Sequence, residues 1–124
     1  MHLIDGKTLA ARIRSEVKQE VKTLGFSPTL HILLVGEDPA SHIYVSLKKR
    51  AAEEVGVQVR VFHLSADVSD ERLCSLIEDW NRDPRVHAIL VQIPLPAGHD
   101  ETRIIRVIDP KKDVDGFHPN TTSI

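Results

Sequence analysis

The sequence contains few of the features that mark secreted, nucleic-acid-binding or membrane proteins. Its 124 residues include one cysteine, Cys74, which excludes an intramolecular disulfide and is typical of a reducing compartment. The formal net charge is −2, so composition does not favour binding to nucleic acid or anionic lipid. No stretch approaches the roughly 18 consecutive apolar residues of a membrane span, and "MHLIDGKTLA" lacks a signal-peptide pattern. We therefore expect a cytoplasmic protein with no nucleic-acid or membrane partner.

Three aliphatic segments have the composition of buried β-strands. They are "TLHILLVG", "VQVRVFHL" and "VHAILVQIP", and each ends near a glycine, serine or proline. Between them lie segments with helical spacing of apolar residues. These predict helices over about 6–24, 38–55 and 69–82, with Asp38 and Ser69 as N-terminal caps. Alternating strands and helices predict a three-layer α/β domain, with a mostly parallel sheet and helices on both faces.

The segments that follow the strands contain the most polar and irregular sequence of the chain. "VGEDPAS" follows the first strand, "VQIPLPAG" follows the third, and "IDPKKDVDGFHP" lies further downstream. Because ligands bind at the carboxyl ends of parallel strands, we expect these three segments to converge on one cleft.

The helix over 38–55 carries the only tyrosine of the chain four residues before a lysine. At 100° per residue, Tyr44 projects within a predicted buried stripe and Lys48 lies on its edge. The other members of that stripe are Ala40, Ile43, Leu47, Ala51 and Val55. A lysine beside apolar surface loses hydration and can exchange protons as a general acid or base. Simple packing of the pair, with the lysine stem along the surface, is the alternative.

Four motifs in this order resemble those of one enzyme family. "LIDGKTLA", "VGEDPASHIYVSLKKRAAEEVG", "LVQIPLP" and "KKDVDGFHP" look like the catalytic domain of the bifunctional methylenetetrahydrofolate dehydrogenase and methenyltetrahydrofolate cyclohydrolase, the FolD family. The resemblance extends from about Leu3 to Asn120. It implies an enzyme that interconverts 5,10-methylene-, 5,10-methenyl- and 10-formyl-tetrahydrofolate, with NADP as the cofactor of the full-length protein.

The resemblance also implies roles for four residues. Lys48 matches the catalytic lysine, and Gln92 matches the glutamine that hydrogen-bonds it. Tyr44 matches the tyrosine that stacks on the folate ring, and Asp115 matches the carboxylate that binds the pterin. The implied catalytic residues are therefore Lys48, Gln92 and Asp115, and all four residues are expected to contact substrate. For each of them a structural role, as core filler, strand-end cap or turn former, is the alternative.

The chain also departs from the family pattern. No glycine-rich strand-to-helix loop of the G-x-G-x-x-G type is present to hold a dinucleotide. We expect a folate-binding catalytic domain over 1–120, with 121–124 as a tail or truncation point and the NADP-binding Rossmann domain absent. The resemblance implies a homodimeric parent, and we expect that the fragment can self-associate.

The sequence supports two functional hypotheses. The first is a one-carbon folate enzyme whose fragment lacks dehydrogenase activity by itself. The second is a non-catalytic, truncated module that binds folate or a partner. The seven histidines show no ligand spacing such as HxxxH on one helix, so no metal is expected.

Overall fold

The computed structural model describes residues 25–114, so the predicted helix over 6–24 and the tail over 121–124 lie outside the described residues. Three strands alternate with three helices along this part of the chain. They are β1 (Thr29–Val35), α1 (Pro39–Glu54), β2 (Gln58–Leu64), α2 (Asp70–Arg82), β3 (Ala88–Val91) and α3 (Glu101–Val107). Among these residues, none of the helices combines the length and apolar character that crossing a membrane requires.

The three strands form one parallel sheet in the order β2-β1-β3. In this sheet Thr29 pairs with Gln58 on one side of β1, and Leu30 pairs with Ala88 on the other. Because β1 is the central strand, its apolar side chains are buried on both faces, as its aliphatic sequence predicts. The parallel arrangement brings the carboxyl ends of all three strands to one edge of the sheet.

The core is divided between the two faces of the sheet, which confirms the predicted three layers. Helix α1 packs on one face and helices α2 and α3 on the other. The first cluster contains Leu30, Ile32, Leu34, Val45, Ala52, Val55, Val57, Ala88, Leu90 and Val114. The second contains Leu33, Val35, Leu73, Cys74, Ile77, Trp80, Val86, Ile89, Val91, Leu95, Ile104 and Ile108. Cys74 is thus a buried core residue, as its position in an amphipathic helix predicts.

The buried face of α1 differs from the predicted one. Of the predicted stripe, Ala40 and Ala51 are exposed, and Ile43 and Leu47 are 59% and 56% exposed, so only Val55 is buried. The helix instead buries Ser41, Val45 and Ala52. These three residues also have helical spacing, and their small side chains let the helix lie close to the sheet. The prediction was wrong because it selected the stripe with the larger apolar side chains.

The helix over 69–82 is confirmed with its predicted cap. Ser69 Oγ accepts a hydrogen bond from the backbone N–H of Arg72 at 3.0 Å. By contrast, α3 was not predicted from the sequence. It has seven residues and buries only Ile104, so its apolar pattern is too short to be recognised, although Asp100 caps it in the same way.

Lys112 stabilises the carboxyl end of α2. Its Nζ donates hydrogen bonds to the carbonyl oxygens of Trp80, Asn81 and Asp83 at 2.9, 2.9 and 3.0 Å. The carbonyls of Trp80 and Asp83 also accept the backbone N–H groups of Asp83 and Val86, so Lys112 adds a charged donor to them. A cation at this end also lies favourably in the helix dipole. Part of the "KKDVDG" motif therefore has a structural function.

Replacing Lys112 with methionine should destabilise the fold. Lys112→Met keeps most of the stem and removes the donor of all three hydrogen bonds, so we expect the free energy of unfolding to fall by about 2 kcal/mol. Urea denaturation followed by circular dichroism measures this change. The matched control is Lys111→Met, which alters the exposed neighbouring lysine and should change stability little. Equal stability of the two variants would contradict the capping role.

Candidate active site

The loops that follow β1 and β3 meet at the carboxyl edge of the sheet. Gly36 ends β1 with a φ of +87°, and a Cβ atom placed on it would lie 2.7 Å from Cγ of Pro96. Only glycine fits this conformation and this close approach. The first two of the three segments predicted to converge are therefore in contact.

Lys48 and Gln92 are joined across this edge by a hydrogen bond. Lys48 Nζ donates to Gln92 Oε1 at 3.0 Å, which links the third turn of α1 to the residue after β3. Gln92 is only 5% exposed and its orientation is fixed. Its Nε2 donates to the carbonyl oxygen of Ile93 at 2.8 Å, which leaves Oε1 to accept from the lysine. Lys48 is half-buried beside it.

Tyr44 lies one helical turn before Lys48 and presents its ring to solvent. Its side chain is 51% exposed, in contrast to the buried position predicted for it. It is therefore not core filler. Ile43 and Leu47, which are also exposed, lie on the same helix and add apolar surface around it. An exposed tyrosine amid apolar side chains offers a flat surface on which an aromatic ligand can stack.

The third predicted segment reaches the sheet through Asp113. Asp113 is buried and forms a parallel bridge with Ile89 of β3, so its backbone lies alongside the strand that precedes Gln92. Asp115, the predicted pterin-binding carboxylate, lies outside the described residues.

Sequence reasoning missed one group of side chains with ligand-forming atoms. Glu37, His42 and His63 place a carboxylate and two imidazole nitrogens within 4.8 Å of one another. They come from the loop after β1, from α1 and from β2, respectively. Because these residues belong to different elements, no spacing on a single helix could reveal them.

The Lys48 and Gln92 pair holds an amine against a neutral amide oxygen. The neutral amide oxygen can accept an N–H from either the ammonium or the amine form of the lysine, so it orients Lys48 without fixing its protonation. A nearby exposed aromatic ring can hold a flat ligand against this amine.

Comparisons with known proteins identify the family of the chain. The family "Tetrahydrofolate dehydrogenase/cyclohydrolase, catalytic domain" matches residues 4–115. The bifunctional protein FolD of Aquifex aeolicus is 50% identical in an alignment of 121 positions that covers 94% of this chain and 42% of that protein.

Solved structures of related folate enzymes also match the chain. The silkworm (Bombyx mori) 5,10-methylenetetrahydrofolate dehydrogenase matches 97% of this chain and 43% of its own, with 40% identity and a TM-score of 0.83. The Trypanosoma brucei dehydrogenase-cyclohydrolase, solved with NADP and an inhibitor, matches 96% of this chain and 42% of its own, with 33% identity and a TM-score of 0.80. The chain thus spans about two fifths of the length of these relatives.

Proposed function

Since this chain belongs to the tetrahydrofolate dehydrogenase/cyclohydrolase family, we propose that it is the folate-binding catalytic domain of a one-carbon enzyme. The whole protein would oxidise 5,10-methylene-tetrahydrofolate and hydrolyse the 5,10-methenyl product to 10-formyl-tetrahydrofolate. The hydrogen bond between Lys48 and Gln92 carries the proposal, because it holds a proton-transfer group beside the exposed ring of Tyr44.

The cyclohydrolase reaction requires protons to move in two steps. Water adds to the cationic methenyl carbon, a C–O bond forms, and the water gives up a proton, which the amine form of Lys48 accepts. The bond between that carbon and N5 then breaks, N5 receives a proton from Lys48, and the hydroxyl proton on the same carbon is released to solvent as the C=O of the formyl group forms on N10. Gln92 keeps the nitrogen of Lys48 in place through both steps, since its Oε1 accepts an N–H in either protonation state.

Substrate binding is assigned to Tyr44 and Asp115. The pterin ring is flat and can stack on Tyr44, and its amino and amide N–H groups can donate to the carboxylate of Asp115. These contacts would hold the folate with its one-carbon bridge facing Lys48.

The dehydrogenase reaction needs a nicotinamide cofactor, and we propose NADP for the whole protein because a related enzyme was solved with it. The described residues do not fit a dinucleotide. Carboxylate or hydroxyl oxygens of Asp38, Ser69 and Asp100 already occupy the amino ends of α1, α2 and α3. Those ends are therefore not available to bind a pyrophosphate, and hydride transfer is not assigned to these residues.

Binding of a stable folate, 5-formyl-tetrahydrofolate, tests the assignment on the chain itself. We expect Asp115→Ala to weaken binding about 5- to 150-fold, because unpaired pterin donors cost about 1 to 3 kcal/mol. Tyr44→Leu should weaken it about 2- to 10-fold through lost stacking. Isothermal titration calorimetry measures both.

Phe26→Leu is the matched aromatic control, because Phe26 is partly exposed but contacts His87 instead. It should bind folate like the unaltered chain. No folate binding by a folded chain, or equal binding by all variants, would reject the assignment. Binding without any hydrolysis in a two-domain protein that carries this chain would indicate a non-catalytic folate-binding module.

A further inference from the structure

Glu37, His42 and His63 form a compact group where the loop after β1, the start of α1 and the end of β2 meet. His63 Nε2 lies 3.0 Å from Glu37 Oε2, and His42 Nε2 lies 3.7 Å from Glu37 Oε1. The two imidazole rings contact each other edge to face, with their centroids 4.8 Å apart. The ligand-forming atoms of the three side chains therefore lie within 4.8 Å of one another.

The backbone provides a fourth oxygen at the same place. The carbonyl oxygen of Gly36 lies 3.1 Å from His42 Nε2 and 2.8 Å from His63 Nε2. Gly36 is held by its own N–H, which donates to Leu64 at 2.9 Å, and by its contact with Pro96. The group is thus built around a backbone position that is hydrogen-bonded to the end of β2.

These separations match the ligand spacing of a small metal ion. Zinc lies about 2.0 to 2.2 Å from imidazole nitrogen and carboxylate oxygen, so neighbouring ligands in a tetrahedral site are about 3.3 Å apart. The separations of Glu37 from the two imidazole nitrogens fall on either side of this value. An ion at this point would take the place of the protons that the imidazoles otherwise donate to Gly36.

We propose that Glu37, His42 and His63 bind one Zn²⁺ ion per chain. Two imidazoles and one carboxylate form a donor set that suits zinc, and the partial exposure of all three side chains gives the ion access from solvent. The fourth position is filled by water or by the Gly36 carbonyl.

The ion would join three elements at the carboxyl edge of the sheet. It would connect the loop after β1 and the first turn of α1 to the end of β2. His42 precedes Lys48 by six residues, about 9 Å along the helix axis, so the ion would fix the start of the helix without contacting the proposed active site. This site is independent of the folate function.

Titration of the purified, metal-depleted chain with ZnCl₂ tests the proposal. Isothermal titration calorimetry should show one ion per chain, and the melting temperature should rise as Zn²⁺ is added. Co²⁺ is the spectroscopic probe, because a site with nitrogen and oxygen ligands of low coordination number gives visible absorption bands. His42→Gln, His63→Gln and Glu37→Gln should each weaken Zn²⁺ binding at least about 10-fold.

Two control variants distinguish this site from general metal binding. Glu54→Gln changes an exposed glutamate of the same helix, and His99→Gln changes a histidine that pairs with Asp70 instead. Both should bind Zn²⁺ like the unaltered chain. Glu37 is 78% exposed in its side chain, so Glu37→Gln should fold even where a histidine variant does not. Absence of saturable binding, or binding that Glu37→Gln leaves unchanged, would overturn the proposal.

Discussion

Lys48→Met should lower hydrolysis of 5,10-methenyl-tetrahydrofolate at least ~100-fold in a two-domain protein that carries this chain, the low end for a lost general acid or base. Methionine keeps most of the side-chain stem but cannot accept or donate the two protons. Binding of folate should change much less, because Tyr44 and Asp115 are retained. Stopped-flow absorbance measures the hydrolysis, and a parallel titration measures the binding.

Lys49→Met is the matched control for this result. Lys49 is the adjacent lysine, but it forms an ion pair with Glu53 at 3.0 Å instead of contacting Gln92. Its loss should leave turnover nearly unchanged. Gln92→Met should lower turnover less than Lys48→Met does, because the amine remains but is no longer held. Full activity in Lys48→Met would remove this residue from the mechanism.

His31 should make the fold sensitive to acid. Its ring is buried between Phe62 and Trp80, with both ring centroids 4.8 Å away, and its Nδ1 has no hydrogen-bond partner among residues 25–114. Burial, helped by the positive charges of Arg60 and Lys112 and opposed by Asp83, lowers the pKa of His31 from 6.5 to about 4. The folded protein therefore keeps this imidazole neutral over a range in which the unfolded chain binds a proton.

The sign of the effect follows from this difference. A folded-state pKa below that of the unfolded chain gives stability that is present above pH 6.5 and is lost as the pH falls toward 4. One pKa unit corresponds to about 1.4 kcal/mol, so His31 should lower the free energy of unfolding by about 3 kcal/mol between pH 7 and pH 4.

His31→Phe tests this contribution, because phenylalanine keeps an aromatic ring between Phe62 and Trp80 but cannot be protonated. We measure the free energy of unfolding in urea at pH 7 and at pH 4. Its decrease between the two pH values should be about 3 kcal/mol smaller in the variant than in the unaltered chain. His63→Gln, measured with a chelator present, removes an exposed histidine and should keep the full acid sensitivity. An equal loss of stability in His31→Phe and the unaltered chain would show that His31 is not the cause.

Most of the fold was predictable because its signals are local. Aliphatic strands, the caps Asp38 and Ser69, and alternation of strands with helices each depend on a few neighbouring residues. The short helix α3 was missed because seven residues carry too little of a pattern. The family motifs are local as well, and they identified Lys48, Gln92, Tyr44 and Asp115 as candidates.

The sequence by itself determined the α/β class, the order of the three strands and of helices α1 and α2, and the family to which the chain belongs. Tertiary structure alone decided which side of α1 is buried, since two stripes had helical spacing and the close approach to the sheet selected the one with small side chains. It also decided that Lys48 meets Gln92, 44 residues away, and that Glu37, His42 and His63 converge. Such contacts depend on how separate helices and strands pack against one another, and the spacing of residues along the chain does not predict this packing.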